Sequence, residues 1–199
     1  IKITYSAVVN EKAVAQIEKN KAVLNYSNDP TNWTNTTPRP AEEQEVYSSK
    51  IVIDKYEKGA PKTKLPGATF VLYKRGEGTE VKPTSGDYDI VTGNGKDTYY
   101  PRSYYKYPEA AETAGAKVEW DPDKNQATPK TTDNKGAASF DGLADGTYYL
   151  LETKAPAGYN PLEEPHEVKV HVDHDNPVTE VGQLPITAEV ANSTGTVLP

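Results

Sequence analysis

Three residues in this chain could do chemistry from places where polar groups are costly: a primary amine, a carboxylate and a carboxamide, each ending an apolar row. In Ser49-Lys50-Ile51-Val52-Ile53-Asp54-Lys55, strand alternation puts Ile51, Ile53 and Lys55 on one face, so a lysine continues an apolar row. In the stretch from Gly146 to Lys154, Tyr148, Leu150 and Glu152 share a face, and near the C-terminus Ile186, Ala188, Val190 and Asn192 do the same. Lys, Glu and Asn are each costly to bury alone. The alternation leaves two readings for Glu152: an edge-strand acid facing solvent, or a buried acid whose partners are the other two groups. Three strands each end an apolar row with a polar group, and the simplest way to make that tolerable is for the three groups to meet.

The elements that must do the positioning are strands. Thr147 to Leu151 are β-formers, and Pro156 and Gly158 break the pattern after Lys154. Gly59 to Lys64 makes a turn after the Lys55 strand, Leu65-Pro66-Gly67 re-enters, and Ala68, Phe70 and Leu72 form the inward row of the next strand.

The stretch from Gly146 to Tyr159, Gly-Thr-Tyr-Tyr-Leu-Leu-Glu-Thr-Lys-Ala-Pro-Ala-Gly-Tyr, resembles the E-box of CnaB-type domains in surface proteins and major pilins of Gram-positive bacteria. The likeness extends to Ile53-Asp54-Lys55-Tyr56-Glu57, to the segment from Leu65 to Tyr73, and to the segment from Gly136 to Leu143, in the family's order. It covers most of residues 48 to 199. The resemblance implies an all-β fold, an immunoglobulin-like (inverse-Ig) β-sandwich. It also implies an intramolecular isopeptide bond between Lys55 and Asn192, promoted by Glu152, in a domain whose role is structural and mechanical. For that implied bond, burial disfavours both charges, so proton transfer from Lys55 to Glu152 leaves two neutral groups and a nucleophilic amine. The protonated acid can then donate to the Asn192 carboxamide oxygen, support the oxyanion and pass its proton to departing ammonia. An unactivated amide reacts only if it is well positioned, and well-oriented groups reach effective molarities of roughly 10⁵ to 10⁸ M. The partners the resemblance implies are other pilin subunits joined by a sortase, and peptidoglycan, at the wall or pilus surface of a Gram-positive bacterium.

Composition narrows the classes. The chain has 199 residues with no Cys and no Met, 14 Tyr against 2 Phe, and a net charge of −7; its mean hydropathy is −0.75. A disulfide scaffold, thiolate chemistry and a Cys-based zinc site are excluded, and no apolar run approaches the length of a membrane helix. The acidic balance argues against nucleic-acid and anionic-membrane partners. No signal peptide is present, and the first residue is not Met, which reads as a mature or trimmed fragment.

Along the chain, residues 1–28 read as the C-terminal part of a preceding β domain. Ile1, Ile3, Tyr5 and Ala7 alternate as a strand, Glu11 to Glu18 has helical spacing, and Ala22, Leu24, Tyr26 and Asn28 alternate again. Asn28 has two readings: by the same resemblance, the acceptor of a second isopeptide bond to a lysine upstream of residue 1, or the start of an Asn-Asp-Pro turn. Residues 29–47, rich in Asn, Thr and Pro, read as a stiff linker, and 48–199 as the sandwich domain. Within it, residues 76–136 read as an insertion with short strands at Tyr88 to Val91, Tyr104 to Tyr107 and Lys117 to Trp120. Its Tyr99, Tyr100, Tyr104, Tyr105 and Tyr107 form either a cover packed over the sheet or a binding surface. The second option would make the chain a wall-anchored adhesin for a host surface or matrix protein rather than a pilus shaft subunit.

No motif for an enzyme acting on other molecules is present: there is no Gly-rich phosphate loop, nucleophile elbow or Ser-His-Asp set. His166 and His171 fall on opposite faces of one strand, so neither a metal nor any other cofactor is expected. Lys106-Tyr107-Pro108-Glu109 fails as a Tyr-Pro-Lys pilin motif because Glu109 stands where the lysine should be. The closing residues Gly195-Thr196-Val197-Leu198-Pro199 resemble a Leu-Pro-x-Thr-Gly sorting motif cut after its first two residues.

Overall fold

The computed structural model describes residues 49–107, 118–171 and 185–195, together with Thr31 and four short strands between residues 17 and 47. Those four are β1 (Ile17–Ala22), β2 (Asn25–Ser27), β3 (Thr36–Pro38) and β4 (Glu42–Tyr47). β1 pairs antiparallel with β4 and β2 with β3, so the second ladder is nested inside the first. Strand pairing therefore runs through 36–38 and 42–47, where the Asn/Thr/Pro composition read as linker. Ile17 and Glu18, the end of the stretch with helical spacing, begin β1 instead. Asn28 lies outside the described residues.

The main unit is built from β5 (Ser49–Glu57), β6 (Ala60–Lys64), β7 (Thr69–Arg75), β8 (Tyr88–Gly93), β9 (Lys96–Lys106), β10 (Glu119–Asp121), β11 (Lys130–Thr131), β12 (Ala137–Leu143), β13 (Gly146–Lys154), β14 (His166–Val170) and β15 (Ile186–Asn192). One sheet runs β10-β9-β7-β13-β14, with β8 attached to β9 and β11 to β7; the other runs β12-β5-β15, with β6 attached to β5. Neighbours are antiparallel except β15 and β5, which are parallel. Parallel pairing of the first and last strands of the domain is the feature that brings Lys55 beside the end of β15: Val190 registers with Lys55 and Asn192 with Glu57.

The core lies between the sheets, where the alternation read from the sequence delivers Ile51, Ile53, Phe70, Leu72, Leu150, Ala188 and Val190, joined by Phe140, Leu143, Val168 and Val170. Burial of each Val, Leu, Ile or Phe side chain among them contributes roughly 1.5–3 kcal/mol against leaving it in water. The outer face of the larger sheet is covered as well. Tyr73, Tyr104, Tyr149 and Val71 form a second apolar cluster there, with the Tyr73 and Tyr149 rings stacked at 5.1 Å.

Residues 76–136, read as an insertion with short strands, do carry short strands, and one of them runs longer than expected and joins the main sheet. β9 sits between β10 and β7 in the main sheet, and its consecutive Tyr104 and Tyr105 are both buried, on opposite faces. A strand buried on two faces carries no alternation to find. β8 folds back on β9 through Asn94-Gly95, both at positive φ, a turn suited to a two-residue hairpin. Asp89 of β8 ties the hairpin down. Its carboxylate accepts hydrogen bonds from the Tyr73 hydroxyl at 2.9 Å, Arg75 Nε at 2.5 Å and Arg102 Nε at 2.8 Å. The guanidinium of Arg75 lies 4.1 Å from the Tyr149 ring centroid and that of Arg102 lies 4.5 Å from Tyr73. Burial pushes the Asp89 carboxyl up, and the hydrogen bonds from Arg75, Arg102 and Tyr73 outweigh that and hold it below the ordinary range.

Candidate functional site

Lys55, Glu152 and Asn192 meet at one end of the core. Lys55 is 0% exposed, Asn192 1% and Glu152 8%. Each is the last buried polar member of its apolar row, and the rows come from three strands in two sheets: β5 and β15 on one side, β13 on the other. A polar group in such a place must find partners inside the protein.

The partners found are largely each other. Asn192 Nδ2 donates to Glu152 Oε2 at 2.9 Å and Oε1 at 3.1 Å. Lys55 Nζ lies 3.5 Å from Glu152 Oε1 and 3.4 Å from the Val190 carbonyl oxygen. Both distances are long for an ammonium, whose contacts to carboxylates run about 2.7–2.9 Å. Burial lowers the Lys55 pKa from its ordinary value; the attraction and hydrogen bond of Glu152 work the other way and do not cancel it. The Phe70 ring, centroid 5.7 Å from Nζ, contributes to the apolar surroundings. Beside the site, burial and the Lys55 charge depress the His166 imidazole.

Two backbone groups complete the arrangement, and neither was visible in side-chain patterning. The Asn160 carbonyl accepts from Asn192 Nδ2 at 2.8 Å, and the Leu162 N–H donates to Glu152 Oε2 at 2.8 Å. Both belong to the segment that follows β13, where Pro156 and Gly158 turn the chain back over the site. The only signal for them was the turn chemistry just after the acid.

The expectation that Glu152 donates to the carboxamide oxygen is reversed in this geometry. Nδ2 has two hydrogens; one goes to the Asn160 carbonyl and the other to the carboxylate, so the amide turns its nitrogen toward Glu152. Asn192 Oδ1 is buried with no hydrogen-bond partner among the described residues. Glu152 thus bridges the nucleophile, at Oε1, and the leaving group, through both oxygens.

Elsewhere, the tyrosine stretch resolves into packing. Tyr104 and Tyr105 are buried, and Tyr99, Tyr100 and Tyr107 are partly covered. Tyr105 meets Phe140 and Trp120 edge-on, and Tyr88 meets Tyr99 edge-on. No group of His, Cys, Asp and Glu suited to a metal occurs among the described residues, and no helix there is long and apolar enough to cross a membrane.

Comparison with known proteins agrees with this architecture. The chain is 28% identical over 239 aligned positions to the trypsin-resistant surface T6 protein of Streptococcus pyogenes serotype M6, covering 94% of this chain and 43% of that protein. The group B streptococcus pilus 2b backbone protein superposes with a TM-score of 0.53 at 27% identity, over 81% of this chain and 48% of that one. The full-length major pilin RrgB from Streptococcus pneumoniae shares the fold, with a TM-score of 0.50 at 18% identity over 81% of this chain and 33% of that one. The chain therefore spans about half the length, or less, of these three relatives. A family described as SpaA, prealbumin-like fold domain, matches residues 49–183, which include Lys55 and Glu152, and the chain belongs to that family.

Proposed function

We propose that this chain is a structural subunit of a pilus shaft on a Gram-positive cell surface, with its sandwich locked by an intramolecular isopeptide bond between Lys55 and Asn192. The observation that carries the locking is the buried meeting of Lys55, Glu152 and Asn192. Its support as a pilus subunit is the family and the likeness to a pilus backbone protein at 27% identity. Joining to further subunits and to peptidoglycan by a sortase belongs to the same proposal.

The step is a self-modification with one turnover. Lys55 passes a proton from Nζ to Glu152 Oε1; the neutral amine attacks Asn192 Cγ, forming the Nζ–Cγ bond and placing negative charge on Oδ1. Glu152 gives this proton to Nδ2, the Cγ–Nδ2 bond breaks as ammonia leaves and the Cγ–Oδ1 double bond re-forms, and the carboxylate takes the second proton from the cationic Nζ, leaving a neutral secondary amide. The atoms balance as amine plus carboxamide giving secondary amide plus ammonia. Glu152 contacts both the donor and the acceptor of that proton, so it need not move between the two transfers.

The bond would join the first and last strands of the domain, so tension applied at either end passes through it. It closes a loop of more than 100 residues, for which the chain-entropy relation gives a stabilisation of about 5 kcal/mol. Intact-mass measurement of the purified chain tests the proposal. The expected mass is that of the sequence less one ammonia, with a fragment linking Lys55 to Asn192; the full sequence mass would overturn it.

A further inference from the structure

The residues just after Asn192 leave their own sheet. Lys58 N–H donates to the Asn192 carbonyl at 2.8 Å, and from there the chain pairs with the segment after β13 instead of with β5. Asn160 N–H donates to the Ser193 carbonyl at 3.0 Å, Gly195 N–H donates to the Gly158 carbonyl at 2.8 Å, and Tyr159 bridges Thr194. The Tyr159 hydroxyl crosses to the other sheet and donates to Glu57 Oε2 at 2.9 Å. Glu57 is the register partner of Asn192 and lies two residues beyond Lys55.

These contacts share one geometric result. The segment carrying the Asn160 carbonyl and the Leu162 N–H, which orient the carboxamide and the carboxylate, is held from both sides: to the chain after Asn192 by backbone bonds, and to β5 by one side-chain bond. We infer that Tyr159 is a positioning residue for the cross-linking reaction, holding the Asn160 carbonyl on the carboxamide through its hydrogen bond to Glu57. The hydroxyl touches none of the reacting atoms. Its effect is to fix which way the carboxamide faces: with the Asn160 carbonyl in place, Nδ2 is directed at Glu152, the group that must protonate it. When the carbonyl retreats, the amide is free to turn and present Oδ1 to the carboxylate, which leaves the departing nitrogen without its proton donor.

The inference rests on the proposed Lys55–Asn192 reaction, and its test separates the two. The full chain is produced in a short cell-free translation pulse, and loss of ammonia is followed by mass spectrometry at a temperature where circular dichroism shows each variant folded. Tyr159→Phe and Glu57→Ala are expected to slow ammonia loss on the order of tenfold to a hundredfold, the range that small misplacement of a reacting group produces. Glu57→Gln, which keeps an acceptor oxygen for the Tyr159 hydroxyl, is expected to react at close to the unsubstituted rate. The double variant Tyr159→Phe/Glu57→Ala should be no slower than the slower single variant, since both remove one bond. A merely structural bond would lower the melting temperature without slowing the reaction in folded chain. Unsubstituted rates in Tyr159→Phe and Glu57→Ala overturn the positioning role while leaving the reaction standing. If Tyr159→Phe does not fold, the Glu57→Ala and Glu57→Gln pair decides alone. If the unsubstituted chain loses no ammonia, the reaction itself is gone and the positioning role with it.

Discussion

Asn192 presents its nitrogen, not its oxygen, to Glu152: Nδ2 lies 2.9 Å from Oε2 and 3.1 Å from Oε1, while Oδ1 is buried without a partner among the described residues. An unpaired buried carbonyl oxygen costs about 1–3 kcal/mol in a folded protein. Here that atom is the one on which negative charge would develop, and the carboxylate is committed to the nucleophile and the leaving group. In the proposed reaction Glu152 is therefore a proton carrier between two nitrogens.

Glu152→Gln tests that role. Glutamine can still accept from the Leu162 N–H and from Nδ2, so the site should remain packed, but it cannot take up the lysine proton. The variant is expected to fold, to keep the full sequence mass, and to melt roughly 10–20 °C lower than the cross-linked chain, the shift that about 5 kcal/mol produces in a domain of this size. Normal yield of the Lys55–Asn192 fragment in this variant would show that another group carries the proton.

The lysine makes a second prediction through pH. Its pKa is lowered in the folded chain before cross-linking, so between that lowered value and about 10.4 the unfolded state binds more protons than the folded one. Stability of an uncross-linked chain should therefore rise with pH across that window and level off below the lower value, where the lysine is protonated in both states. Urea unfolding of Asn192→Ala between pH 7 and 9.5, compared with Lys55→Met/Asn192→Ala, isolates the lysine; the difference between the two should shrink as pH rises. The rate of ammonia loss in the unsubstituted chain should rise over the same range, because only the neutral amine attacks.

How far the site was legible depended on which groups carry it. Lys55, Glu152 and Asn192 each end an apolar row of period two, a pattern that survives in sequence because one face of each strand is buried. The parallel pairing of β5 with β15 brings two of them together, and no local pattern announces it, since register between distant strands is set by the whole core. Asn160 and Leu162 act through backbone atoms, and for those the side-chain type says little. β9 hid for another reason: Tyr104 and Tyr105 pack on opposite faces, so the strand shows no alternation. The pairing of β3 with β2 was masked by the Thr and Pro of β3, and that of β4 with β1 by the Glu and Gln that fill most of β4, residues that do not read as strand unless a partner is known.

A third prediction concerns the outer layer. Asp89 is 8% exposed and holds two arginines and a tyrosine hydroxyl, so Asp89→Ala strands two partly buried guanidinium groups. The expected cost is about 2–4 kcal/mol, read by urea unfolding, with ammonia loss still reaching completion because the cluster lies on the far side of the sheet from Lys55. Because the Asp89 carboxyl is held below its ordinary range, its contribution is present above about pH 4 and lost as pH falls through the depressed value. Asp89→Asn should flatten the acid limb of the stability curve. An unchanged acid limb would mean that other carboxylates govern acid unfolding.

The last prediction turns on the backbone of Lys55. Lys55 N–H donates to the Gly136 carbonyl at 2.8 Å, and the Lys55 carbonyl accepts from Leu65 N–H at 2.9 Å, so this residue is fixed on both sides by main-chain bonds. Gly136 has φ of +71°, a conformation that costs other residues roughly 1–2 kcal/mol, and a Cβ there would sit 2.3 Å from the Lys55 carbonyl oxygen. That contact cannot be relieved by a side-chain rotation, because both atoms are tied to backbone. Gly136→Ala must therefore push the turn before β12 away from β5 and displace the lysine along its strand. The expected outcome is a loss of more than about 2 kcal/mol in an uncross-linked background such as Asn192→Ala. In the otherwise unsubstituted chain, cross-linking should slow at temperatures where the variant is still folded. Gly59→Ala is the control: it also has positive φ, at +86°, but a Cβ there meets nothing within 4 Å, so it should cost stability through backbone strain alone and leave the reaction rate unchanged. Equal rates in Gly136→Ala and Gly59→Ala would show that the close approach of Gly136 does not set where Lys55 lies.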